Sequence, residues 1–177
     1  DESAACDVVA ALNAVGYCHK HCGRYREALA VHRHAFSYAV SPTDVADSAH
    51  NMAVALAKLG RFDEAVAEYT KALELRRLVL GQHPDCANTC RMMGNSLLKK
   101  GELERALELF LEALRIISET LPATHPERAS ALSCISSALR GLGRLEEALT
   151  YARSGLEMRE RALGAMSPKV ALSLHEL

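Results

Sequence analysis

Pro42, Pro84, Pro126 and Pro168 fall at intervals of 42 residues. A fixed period of this length marks stacked supersecondary units, each too small to bury its own apolar face. Gly23, Gly60, Gly101 and Gly143 keep step with the prolines. Each glycine ends one apolar-periodic segment and precedes another, where a left-handed residue closes a helix. Each unit is therefore expected to be a helix, a tight turn and a second helix, with proline at the first helical position of the next unit.

The rest of the composition agrees with helices. The 177 residues are 49% apolar and 24% charged, enough to build a core, while aromatics are 5% and tryptophan is absent. With 21 basic and 22 acidic side chains, no global attraction to nucleic acid or anionic lipid is expected. No apolar run reaches the ~20 residues of a membrane span, and no secretory leader opens the chain. There is no initiating methionine, and SPKVALSLHEL reads as an element just begun, so the chain is expected to be part of a longer polypeptide.

The spacing also predicts which faces are buried. The first helix of the second unit carries Ala49, Met52, Ala53 and Leu56 at i, i+3, i+4 and i+7. Cys90, Met93, Gly94 and Leu97 take those places in the third unit, Leu132, Ile135, Ser136 and Leu139 in the fourth, and Leu12, Val15, Gly16 and His19 in the first. Second helices alternate large and small residues, as in Phe62, Ala65, Tyr69 and Ala72 or Leu103, Ala106, Phe110 and Ala113. Acids such as Asp63, Glu64, Glu146 and Glu147 occupy their first turns, where the helix dipole favours them.

This pattern resembles the tetratricopeptide repeat (TPR), whose small, large and small positions are filled by Gly16, Tyr25 and Ala28, by Ala53, Phe62 and Ala65, and by Gly94, Leu103 and Ala106. A 42-residue unit is longer than the usual repeat by about two turns of the second helix. With LG followed by HP between units and NMA in a first helix, it looks like the TPR domain of kinesin light chains. The resemblance implies an all-α fold: an α-α superhelix of stacked helix-turn-helix repeats, a right-handed solenoid. It would form one domain over 1–177, with repeats at about 6–41, 42–83, 84–125 and 126–167, and 168–177 beginning a fifth repeat or capping helix. The first repeat departs from the rest, because only 19 residues separate Gly23 from Pro42, so its second helix or linker should be shorter.

Residues opposite the buried face of each first helix are free of packing constraints. That stripe contains eight Lys or Arg and two acids, in a chain whose totals are 21 and 22. In TPR proteins the first helices line a groove, so the resemblance implies a basic groove that selects an acidic, extended peptide. Asn side chains in it would bond ligand backbone amides. The expected peptide-binding residues are Asn13, Tyr17, Lys20, His50, Asn51, Lys58, Arg91, Asn95, Lys99 and Arg140. Arg91 and Asn95 resemble half of a carboxylate clamp whose other half is missing, since Ser133 and Cys134 stand where a second Asn is wanted.

Six Cys and eight His raise the question of a metal, most of all in CHKHC from Cys18 to Cys22. No short-spaced Cys pair supports a zinc ribbon or finger, and Cys22 takes the place of Leu59 and Leu142 elsewhere, so it is read as core filler. Cys90 aligns with Leu12 and Leu132, which says the same. His19 and His32 are read as core histidines, and His83 and His125 as capping or packing residues of the HP connectors. No nucleophile elbow, phosphate-cradling loop or HExxH spacing is present. The expectation is a non-catalytic, monomeric, cytoplasmic interaction module without metal or cofactor, a cargo adaptor or cytoskeletal scaffold. The alternative is a structural array that self-associates.

Overall fold

The computed structural model describes residues 2–163. The chain divides into two compact units, 1–83 and 84–177. The first contains α1 (Glu2–His21), α2 (Tyr25–Tyr38), α3 (Pro42–Lys58) and α4 (Phe62–Leu80). The second contains α5 (Pro84–Lys100), α6 (Leu103–Thr120), α7 (Pro126–Gly141) and α8 (Leu145–Leu163). Among the described residues there is no strand. Sequence-adjacent helices pack in each unit: α1 on α2, α2 on α3 and α3 on α4, then α5 on α6, α6 on α7 and α7 on α8. The expected start of a fifth repeat at 168–177, including Pro168, lies outside the described residues.

The hairpin turns share one mechanism. Gly60 has φ 76°, and the chain closes around it with Gly60 N–H donating to Ala57 O and Arg61 N–H to Leu56 O at 3.0 Å. This six-to-one bond satisfies carbonyls left over at the helix end and redirects the chain into α4. Arg24 to His19, Glu102 to Leu97 and Arg144 to Leu139 repeat it. First helices after the start of the chain begin at Pro42, Pro84 and Pro126. Ser41 Oγ accepts from Asp44 N–H at 3.1 Å, and His125 Nδ1 accepts from Glu127 N–H at 3.3 Å, which makes His125 the cap its connector suggested.

The predicted buried faces hold in three repeats. Ala49, Ala53, Leu56, Cys90, Gly94, Leu97, Ile135 and Leu139 are buried, and Tyr69 and Phe110 are at most 1% exposed. Interlocking depends on a small residue facing a large one. A Cβ on Gly94 would lie 2.6 Å from the Phe110 ring, and one on Gly16 would strike the His32 imidazole. In register, the pairs are Gly16 with His32, Ala53 with Tyr69, Gly94 with Phe110, and Ser136 with Ala152. The last pair has no large member. Ser136 Oγ instead donates to Ala148 O at 2.9 Å, and Ser136, Ala148 and Ala152 line a cleft of about 240 Å³ between α7 and α8. Helix α2 has 14 residues against 19 in α4 and α8, the expected shortening in the first repeat.

The first repeat corrects two expectations. Val15 is 47% exposed, and Leu12 and His19 are only half-buried, so of that proposed inner face only Gly16 is buried. Cys22 is exposed beside exposed Cys18 and is not core filler. The reason is that, among the described residues, α1 packs chiefly on α2 and α3. Among the described residues, Ala4, Val8, Ala11, Val15, Cys18 and Cys22 form an exposed apolar stripe at alternating spacings of four and three. The equivalent Met52 and Ala55 on α3 are buried at 7% and 1%, where α2 packs on that helix.

Candidate peptide-binding surface

In the first unit, α1 and α3 bring Tyr17, Lys20 and Lys58 together. The Lys20 ammonium sits 4.5 Å from the centre of the Tyr17 ring, a cation–π contact, and Tyr17 itself is 56% exposed. The Tyr17 ring also meets His21, centroid to centroid 4.2 Å. Partial burial and then the charge of Lys58 hold the Lys20 ammonium below its ordinary range. Neither lysine forms an ion pair among the described residues, so two like charges from successive repeats share one face.

Beneath Lys20 lies His32, 2% exposed on α2, in the place that Tyr69 and Phe110 take in later repeats. Its Nδ1 is 3.0 Å from Asn13 Oδ1, so a neutral ring protonated at Nδ1 donates to the amide. Burial first, then the Lys20 charge, pulls the His32 pKa down to about 4. Asn13 therefore holds this core imidazole with its carbonyl oxygen, and its NH₂ remains to donate elsewhere. His32 is the satisfied core histidine expected. The Nδ1 of His19, by contrast, is buried and has no hydrogen-bond partner among the described residues.

His50 is the clearest correction. It is 7% exposed, set edge-on to Tyr69 with ring centroids 5.5 Å apart, and Arg76 Nη1 reaches its Nδ1 at 3.4 Å. The Arg76 side chain crosses from α4, is itself buried, and binds Asp47 Oδ1 at 2.6 Å through Nη2. A residue on the face opposite the predicted core is thus covered by the neighbouring second helix, which helical angle on one helix does not reveal. Asn51 is half-buried and makes no side-chain hydrogen bond among the described residues. The signal for Arg76 was in the register: Arg76, Ile117 and Arg159 are equivalent, and Ile117 is 1% exposed. Arg159 behaves like Arg76, giving Nη2 to Ser133 Oγ at 2.8 Å.

In the second unit Arg91 and Asn95 are half-buried on α5 and Lys99 is exposed. Arg91 Nη2 donates to Asn88 Oδ1 at 3.0 Å, and the Cys134 thiol of α7 lies 3.9 Å from Asn95 Oδ1. Cys134, where a second clamp Asn would stand, thus engages the first. Arg140 is exposed and lines the α7–α8 cleft with Leu145 and Glu146, so it belongs to the space between helices of one hairpin. Arg91, Lys99 and Arg140 form no ion pair among the described residues. Arg61 and Arg144, which lie opposite the buried face at the ends of their first helices' turns, are neutralised locally by Glu64 at 2.6 Å and Glu147 at 2.7 Å.

Among the described residues no three His, Cys, Asp or Glu converge as metal ligands, and no helix is long and apolar enough to cross a membrane. No curated protein matches the chain with significance. Solved structures do. The TPR-like repeats of a Podosopora anserina protein assigned as a kinesin light chain superpose with a TM-score of 0.82 at 19% identity, covering 96% of this chain and 82% of that one. BtubC (BKLC) from P. vanneervenii gives 0.81 at 17% identity, covering 90% of this chain and 66% of that one. MamA gives 0.68 at 20% identity, over 86% and 79%. At such identities the likeness is one of fold. The family model for the tetratricopeptide repeat matches residues 44–119 and 87–161. With that match across more than half its length, on hairpins interlocked through small and large residues, the chain belongs to the tetratricopeptide repeat family.

Proposed function

We propose that this TPR chain is a non-catalytic interaction module that captures an acidic, extended segment of a partner protein on its first helices, as a cargo adaptor or cytoskeletal scaffold does. The observation that carries this reading is the Tyr17, Lys20 and Lys58 cluster. Two ammonium groups from different repeats stand on one face without a neutralising acid among the described residues, beside an exposed aromatic ring. Such a face lowers the free energy of a carboxylate-rich segment and speeds its encounter. The NH₂ of Asn13 and the amide of Asn51 supply bonds to a peptide backbone. In the second unit Arg91, Asn95 and Lys99 form a further patch of the same chemistry, with Arg140 beside the α7–α8 cleft. His50 is assigned to internal packing.

Arrays of acidic, neutral and basic peptides test the reading. Acidic peptides are expected to bind best, and Lys20→Glu with Lys58→Glu to abolish the preference. Equal binding of acidic and basic peptides, or no effect of the double variant, overturns it. A second reading, self-association, is favoured by the apolar stripe of α1, exposed among the described residues, whose four-and-three spacing suits helix pairing. Sedimentation over a concentration range separates the two: the module stays monomeric, whereas an assembly grows and Val8→Lys with Val15→Lys dissolves it.

A further inference from the structure

A second basic surface lies between the second helices of the first unit, apart from Tyr17, Lys20 and Lys58. Two adjoining clefts share Leu29 and Arg33. One, of about 380 Å³, is lined by Arg26, Leu29, Arg33, Leu59 and Arg61, three guanidinium groups over two leucines with no acid in its wall. The other, of about 260 Å³, continues over Phe36, Met52 and Leu56, with Glu64 and Glu68 at its rim. Together they make a trough with a cationic end and an apolar end.

The placement of Arg26 runs against helix stability. It stands beside Glu27 in the first turn of α2, where the helix dipole favours acids, and the equivalent places in α4, α6 and α8 hold Asp63, Glu104 and Glu146. Arg26 and Arg33, two turns apart on one helix face, form no ion pair among the described residues. Arg61 is bound by both forks to Glu64. Glu64 also lies in the field of Arg33, and Glu68 at the far rim is paired with Lys71 at 2.8 Å, so three guanidiniums against one carboxylate leave the cationic end short of about two negative charges. An Asp or Glu side chain supplies one, whereas a phosphomonoester supplies about two and presents three oxygens to planar donors.

We propose that this trough binds a phosphorylated segment of a partner protein, the phosphate held by Arg26, Arg33 and Arg61 and an apolar side chain seated over Phe36, Met52 and Leu56. From Arg26 to Phe36 the trough follows ten residues of α2, about 15 Å, which four or five extended residues span. Glu64 and Glu68 repel a second anion at the apolar end and so set the direction of the peptide. The site is independent of the first-helix surface.

The test uses the whole 177-residue chain and a fluorescent peptide with phosphoserine five residues before a leucine, compared with its serine and aspartate forms. The phosphopeptide is expected to bind at least about tenfold more tightly than either, the loss of two charge-assisted contacts being of that order. Arg26→Glu with Arg33→Glu should remove the difference while circular dichroism keeps its helical signal, and Glu64→Gln, which releases Arg61, should tighten binding severalfold. Lys20→Glu with Lys58→Glu should leave it unchanged, so this site and the first-helix surface fail separately. Equal affinity for the serine or aspartate peptide overturns the proposal, as does indifference to both the arginine and Glu64 variants. Competition by inorganic phosphate at the concentration of the phosphopeptide overturns the peptide as ligand.

Discussion

The two units are built from the same pair of hairpins, yet they differ even where a side chain is trapped between helices. At the interlocking position the second unit has Phe110 against Gly94, and the first has His32 against Gly16, an imidazole held by Asn13. At the second residue of the second helix, the second unit has Glu104 and Glu146, whereas α2 has Arg26, with its acid one place later at Glu27. The shape of the hairpin asks for a small residue at this place on the first helix and leaves its partner free: an imidazole, a phenol, a phenyl ring or, between α7 and α8, no ring at all. The first unit uses that latitude to gather basic groups around Lys20 and Arg26, and the second keeps a more ordinary apolar lock.

Four experiments sharpen this contrast, in falling order of effect. Removing the apolar lock should cost most: Phe110→Ala empties a fully buried site and should destabilise by about 3–5 kcal/mol in urea unfolding, by the usual cavity cost. A value below about 1 kcal/mol would mean that the ring is not the lock.

The polar lock should instead be sensitive to acid. His32 has its folded pKa lowered to about 4 from an ordinary 6.5, so the fold favours the neutral ring. Its contribution is whole above about pH 6.5 and is lost as pH falls toward 4, on the order of 3 kcal/mol in all. His32→Phe, which copies Phe110, should flatten that part of the stability profile. A wild-type and variant difference independent of pH would reject the neutral imidazole.

Next comes the bridge from α4. Arg76→Ala leaves Asp47 and His50 without this donor and should cost about 2 kcal/mol, whereas Arg76→Ile, copying Ile117, should cost less because it restores apolar contact. If both substitutions are equal, the ion pair rather than the packing carries the effect. The smallest change should be a gain. Ala152→Leu adds apolar volume to the α7–α8 cleft and should stabilise by up to about 1 kcal/mol, read as a rise in Tm; a loss would show that the cleft cannot accept a branched side chain.

Much of the architecture was legible before any coordinates. Gly60 and its equivalents named their turns, Pro42, Pro84 and Pro126 named helix starts, and Ala53 and Gly94 named the buried faces, because each depends on a local backbone or steric need. The candidate surface was legible only in part. Lys20 and Lys58 do meet on one face, but His50 is covered by Arg76 from another helix, and Arg61 and Arg144 are neutralised by glutamates three residues on. Position on one helix says which way a side chain leaves the backbone, not what comes to meet it.

By itself the sequence determined that this chain makes repeated α-hairpins, where they turn and which small residues allow them to interlock, since those properties rest on φ, helix period and side-chain volume within one repeat. Tertiary structure alone decided that the α1 stripe is exposed among the described residues, that His32 rests on Asn13 near Lys20, and that Arg26, Arg33 and Arg61 border one trough. These depend on distances between helices, and on how burial and neighbouring charge act across them.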